Sequence, residues 1–244
     1  MHRNTTFLMY LPDAETAQQQ REIKTLFLLH GFAEDAHNWV PRELSDKYGF
    51  AVVIPNGENA FWLDRASTGH KYCTMLGEEL VGYLQRVFAL AQKREDTYIM
   101  GLSMGGFGAL HTAFYYPNVF SKVTALSSAL ITGEVAKMQE GVGNSIANYE
   151  YYKECFGEPS QLKGSDNDPE ELVRRIIKNG SPMPEIFMSC GTEDFLLEKN
   201  REFHSFLNSR GVKHIYEEDR GGHDMDFWQR YVRRFIPLMF AASC

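Results

Sequence analysis

The sequence predicts an α/β fold in which a mostly parallel central sheet is covered by helices on both faces. Three observations carry this. Short runs such as Phe50–Pro55 are apolar at nearly every position, as strands buried on both faces are. Between them lie longer segments with apolar residues at helical spacing. A chain of 244 residues is also long enough for a single domain to bury such a sheet.

The elements follow in order. Phe7–Pro12 reads as an edge strand stopped by proline, and Ile23–Gly31 as a buried strand ending at a glycine. Phe50–Pro55 is the next strand. Leu76, Leu80, Leu84, Val87, Phe88 and Ala91 share one face of a helix predicted over Met75–Lys93. Asp96–Met100 is β-prone, and Phe107–Phe114 reads as a helix closed near Pro117. Strands are predicted at Lys122–Ser128, Glu185–Gly191 and Val212–Glu217. Helices are predicted at Lys199–Asn208 and from Phe227 to Phe240, the last kinked at Pro237. The stretch Thr132–Met183 is rich in Gly, Asn, Asp and Pro, with a helix at Pro169–Lys178. It reads as a small cap inserted into one domain spanning 1–244.

Between the strand at 96–100 and the helix at 107–114 stands Gly101-Leu102-Ser103-Met104-Gly105-Gly106. A G-x-S-x-G string in a strand–turn–helix setting is the nucleophile elbow of the α/β-hydrolase fold. The glycines have a steric task there. Side chains at 101 or 105 would strike the neighbouring strand or helix, and the serine holds a strained backbone.

A serine hydroxyl needs a base to take its proton and a third group to orient that base. In this fold the chain order is Ser, then Asp or Glu, then His. His223, in Gly221-Gly222-His223-Asp224-Met225-Asp226 after the last strand, meets the requirement for the base. His204 and His214 read as surface residues, His111 lies on the elbow helix, and His2, His37 and His70 lie early in the chain. The acid is expected after the penultimate strand, where Asp194 is chosen over its neighbour Glu193. Asp219, Asp224 and Asp226 follow the wrong strand or share the histidine's own loop, and Asp224 or Asp226 can cap the final helix. Two backbone N–H groups must bind the developing oxyanion. Met104 follows the nucleophile and Phe32 follows His30-Gly31 at an early strand end, so these two are the candidates. His30 is expected to tie down that loop.

These residues together carry a family resemblance. Leu28-Leu29-His30-Gly31-Phe32 with Asn38-Trp39, the strand end Ile54-Pro55-Asn56-Gly57, the elbow 101–109, Cys190-Gly191-Thr192-Glu193-Asp194-Phe195-Leu196 and Gly222-His223 resemble the esterase D-like α/β-hydrolases. Within them the chain is most similar to the bacterial tributyrin esterases, relatives of acetyl and feruloyl esterases; S-formylglutathione hydrolases are a neighbouring branch. The resemblance runs from about Phe7 to Phe235 and implies Ser103, Asp194 and His223 as a triad, with Phe32 and Met104 forming the oxyanion hole. Tyr149–Gly157 resembles the cap segment of the tributyrin esterases. One position departs: that branch often carries an aromatic residue two places after the histidine, where this chain has Met225, a change expected to reshape the pocket.

On the substrate side, Trp62 and Tyr72 follow the strand ending at Ile54, on the edge where open α/β sheets bind ligands. Trp62 is a candidate wall for a sugar ring or alkyl ester, with core packing as its other reading. Trp39 reads as structural. Glu34 and Asp35 flank the oxyanion loop and are candidates for contacting a hydroxylated leaving group, or are simply solvated.

Charge narrows the partners. The net charge is −7, from 25 basic and 32 acidic residues, with no basic run, which argues against nucleic acid or an anionic membrane. Cys73, Cys155, Cys190 and Cys244 lie far apart without metal-ligand spacing and read as reduced thiols. The N-terminus lacks an apolar signal region, so a cytoplasmic location is expected. The expectation is therefore a serine carboxylesterase acting on a short-chain or carbohydrate ester, with neither metal nor organic cofactor. An S-formylglutathione hydrolase-type thioesterase, an acetyl or feruloyl esterase of plant polysaccharide, or an acyltransferase would use the same groups. A non-catalytic binding role fits poorly with all three triad members present, and a homo-oligomer is left open.

Overall fold

A computed structural model of the chain describes residues 3–13, 23–37, 39–65 and 69–240. Seven strands form one sheet: β1 (Phe7–Tyr10), β2 (Lys24–Leu29), β3 (Phe50–Pro55), β4 (Thr97–Leu102), β5 (Lys122–Leu126), β6 (Glu185–Gly191) and β7 (His214–Asp219). Their spatial order is β1-β3-β2-β4-β5-β6-β7. β1 pairs antiparallel with β3, and every other pair is parallel.

The alternation of side chains along each strand splits the core into two layers. Phe27, Leu29, Val53, Ile99, Val123 and Met188 join one buried cluster. Its cover is the helical segment α2 (72–88), the elbow helix α3 (Met104–Tyr115), α6 (Pro169–Asn179) and α7 (Leu197–Ser209). Leu26, Leu28, Val52, Tyr98, Met100 and Phe187 face the other way. They pack under α8 (Met225–Phe240), with α1 (Arg42–Tyr48) beside it. Burial on both faces explains why the strands read as continuous apolar runs.

Several boundaries differ from the sequence reading. The helix expected over Met75–Lys93 begins at Tyr72 and stops at Phe88, because Ala89 turns left-handed at φ 54°. Its middle turn, Met75–Leu80, is π-helical. β7 lies two residues later than predicted, and α8 begins at Met225 and contains Pro237. Between β5 and β6 the chain forms α4 (Thr132–Val135), α5 (Tyr149–Phe156) and α6. Asn148 caps α5 by accepting from the Tyr151 amide, and Asp168 caps α6. Leu172, Val173 and Ile176 bury α6 in the same cluster as α3, so this half of the insertion covers the sheet.

Cys73, Cys155 and Cys190 are free, buried thiols; His2, Asn38 and Cys244 lie outside the described residues. Among the described residues no helix is long and apolar enough to cross a membrane.

Candidate active site

Parallel pairing sets the carboxyl ends of the strands along one edge. Leu29 stands opposite Gly101, Leu102 opposite Leu126, and Gly191 opposite Asp219. The residues that follow these ends are His30, Ser103, Asp194 and His223, so one rim gathers all four.

Ser103 makes the turn from β4 into α3 at φ 55°, ψ −118°. Its amide donates to Leu126 O at 2.9 Å, and its carbonyl accepts from Phe107 N at 3.1 Å and Ala129 N at 3.0 Å. The turn is as tight as the glycines imply. A Cβ on Gly101 would stand 2.0 Å from Gly105 O, and one on Gly105 would stand 2.2 Å from Leu29 O.

Ser103 Oγ lies 2.9 Å from His223 Nε2, and His223 Nδ1 lies 2.9 Å from Asp194 Oδ2. A carboxylate can only accept, so Nδ1 carries the proton and Nε2 is free to take one from the serine. Asp194 is 5% exposed. Burial alone would raise its carboxyl, but the bonds from His223 and the Leu196 amide outweigh it and hold the group below the usual carboxylate range. The loops that carry Asp194 and His223 are stitched together. Thr192 N donates to Asp219 O and Glu193 N to Gly221 O, and a Cβ on Gly191 would meet Gly221 O at 2.2 Å.

The rival acids are engaged elsewhere. Glu193 faces Arg220, Asp219 faces Arg230, and Asp224 Oδ1 caps α8 by accepting from Phe227 N. His204 and His214 bond each other beside β7.

Phe32 and Met104 both border the cleft above Ser103. Met104 opens α3, where an amide has no intrahelical acceptor. The Phe32 amide belongs to the Gly31–Phe32 peptide, whose carbonyl accepts from His30 Nδ1 at 2.8 Å. His30 Nε2 in turn accepts from Gly57 N at 3.0 Å, which fixes the tautomer and keeps the ring neutral. Burial lowers the His30 pKa, in accord with that state. Gly31 N donates to Glu34 Oε2, so Glu34 serves the loop backbone, while Asp35 accepts from His37 N.

The cleft encloses about 660 Å³. Its walls are mainly apolar, with Phe61, Ile131, Ile146, Tyr152, Phe195, Leu196 and Trp228 around Ser103 and His223. Trp62 and Tyr72, expected here as substrate contacts, do not line it. Both are core residues, 0% and 1% exposed. The Trp62 ring lies flush against Gly57 and Gly108, whose added Cβ atoms would come within 2.5 and 2.4 Å of it. Met225 is also absent from the walls and packs toward Leu102 and Trp39 under the sheet. The aromatic residue beside the histidine is instead Trp228, one helical turn later, edge-on at 4.9 Å. Phe195 approaches the same ring at 4.5 Å and is 68% exposed. Sequence reasoning missed both, along with Lys199, which pairs with Glu134 at 3.0 Å in the cleft. Phe195, Leu196 and Lys199 lie at i, i+1 and i+4 just past Asp194, a spacing that puts them on the rim.

Comparison with known proteins agrees with this architecture. The family model described as "Putative esterase" matches residues 1–235. An acetyl esterase of Caldicellulosiruptor saccharolyticus is 40% identical over 100% of this chain and 95% of its own. The S-formylglutathione hydrolase FrmB of Staphylococcus aureus superposes with a TM-score of 0.82 at 25% identity, covering 97% of this chain and 92% of that one. The fluorophosphonate-binding serine hydrolase FphF of the same organism gives 0.82 at 24% identity, over 97% and 98%. These neighbours share the α/β-hydrolase fold.

Proposed function

We propose that this chain, which belongs to the esterase family and is a carboxylic ester hydrolase, cleaves short-chain acyl esters through an acyl-enzyme on Ser103. The observation that carries the reading is the continuous bonding from Ser103 Oγ through His223 to Asp194, 2.9 Å at each step.

His223 Nε2 accepts the serine proton as Oγ attacks the ester carbonyl. Asp194 holds the tautomer and stabilises the imidazolium. The Phe32 and Met104 amides bind the oxyanion, His223 returns its proton to the departing alcohol, and water repeats the sequence to release the acid. The insertion at 132–183 serves as a small cap, supported by Glu134, Ile146 and Tyr152 at the cleft. The 40% identical acetyl esterase favours a short acyl group such as acetyl, which the apolar walls would accommodate.

Ser103→Ala is expected to lower kcat on p-nitrophenyl acetate by on the order of 10⁶. Activity near wild type in that variant would refute the acyl-enzyme. Parallel assays with p-nitrophenyl octanoate, methyl ferulate, acetylated xylan and S-formylglutathione rank the substrates. A preference for the thioester would replace the ester reading while keeping the same three residues.

A further inference from the structure

We infer that Asn59 is a positioning residue for the oxyanion-binding amide of Phe32, and that helix α5 braces it. This rests on the acyl-enzyme reading above. Among the described residues the Phe32 amide has no hydrogen-bond partner, while the amides on either side of it are both held. Gly31 N is fixed by Glu34. Ala33 N donates to Asn59 Oδ1 at 2.7 Å. Ala33 itself sits at φ 60°, a conformation that a non-glycine residue keeps only when its surroundings impose it. The Asn59 bond supplies that restraint one peptide away from the donor.

Asn59 is held from the other side. Its carbonyl accepts from Tyr151 Oη at 2.8 Å and from Arg65 Nη2 at 3.0 Å. Arg65 is 8% exposed and pairs through Nη1 with Glu154 at 2.6 Å. Tyr151 and Glu154 both belong to α5, and the Tyr151 ring also meets the Phe32 ring edge-on at 5.9 Å. Helix α5 therefore grips Phe32 twice, through ring contact and through the Asn59 relay. An oxyanion donor helps only if it is already aimed when charge develops, and a displacement of about 1 Å is enough to cost up to ~10²-fold in rate.

The test compares Asn59→Ala, Asn59→Asp and Tyr151→Phe with wild type, using p-nitrophenyl acetate and an aryl boronic acid that forms a tetrahedral adduct on serine. Active sites are titrated so that kcat refers to competent enzyme. Asn59→Ala is expected to lower kcat about 10- to 100-fold with KM near wild type, and to weaken boronate binding by a similar factor. Asn59→Asp keeps an acceptor for Ala33 N and is expected to recover most of both. Tyr151→Phe retains the ring and loses one bond to Asn59, giving a smaller loss in the same direction; it carries the test if Asn59→Ala does not fold. Unchanged kcat and boronate affinity, with only a lower Tm, would overturn the positioning role. Ser103→Ala is run alongside. If it stays active, the acyl-enzyme reading fails and this inference with it, whereas an inert Ser103→Ala beside an unaffected Asn59→Ala sinks the inference alone.

Discussion

Ser103 holds a backbone conformation that costs a non-glycine residue roughly 1–3 kcal/mol, and the glycines around it leave no room to relax. Gly105→Ala would push a methyl group to within 2.2 Å of the Leu29 carbonyl, a backbone atom that cannot swing aside. It is expected to destabilise the fold by about 1–3 kcal/mol or more in urea denaturation. Asp194→Asn keeps the shape but permits the wrong imidazole tautomer, so kcat is expected to fall by on the order of 10⁴ with little change in Tm. Phe195→Ala removes an exposed ring beside His223. Its stability is expected to stay within about 0.5 kcal/mol of wild type, while KM for aryl esters rises. Legibility at this scale follows the backbone. That Ser103, Asp194 and His223 would meet was readable because elbow sterics and chain order constrain where they fall. The cleft walls were not, because Phe61 and Trp62 both take left-handed backbones, at φ 51° and 59°, without a glycine to announce it. That turn leaves Phe61 on the cleft and sends Trp62 into the core.

Helix α3 does more than follow the serine. Its His111 is fully buried, and the ring donates through Nε2 to the Asp166 carbonyl at 2.9 Å, tying the loop before α6 to the elbow helix. Burial drives its pKa down to about 4 from 6.5, with the Asp166 bond opposing only part of that. Between these two values the unfolded chain binds a proton that the folded chain refuses, so stability rises with pH across the interval. Acidification from pH 6.5 to 4 is expected to remove about 3 kcal/mol through this residue. His111→Gln, which keeps a donor without the titration, should flatten that part of the stability–pH curve. A curve of unchanged slope would show that other groups dominate. That a helix covers this stretch was legible from apolar spacing, but its π-helical middle turn was not, and α2 ends five residues early because Ala89 adopts a turn that its side chain does not signal.

Across the whole molecule the sheet separates two packed layers, and Trp62 belongs to the thicker one. Trp62→Ala is expected to cost about 3–5 kcal/mol in equilibrium unfolding, while the folded fraction keeps the wild-type KM. A raised KM without lost stability would return Trp62 to the substrate. The parallel sheet was readable from its apolar strands, because strands covered on both faces cannot alternate with polar residues. Strand order and the distribution of the insertion were not, since both depend on contacts between distant segments.

The sheet order has one more consequence. β1 to β5 lie together on one side of the β5–β6 seam, and β6 and β7 lie on the other. A cut in the exposed stretch near Gly141 would therefore divide the sheet along a single ladder, with no strand interleaved. The first piece would hold Ser103, Phe32 and Met104, and the second Asp194, His223 and the apolar face of α8. Neither half could turn over an ester by the proposed route, yet their reunion would restore every group at once. The chain is thus laid out as a two-fragment reporter, in which colour from p-nitrophenyl acetate would count reassembled molecules.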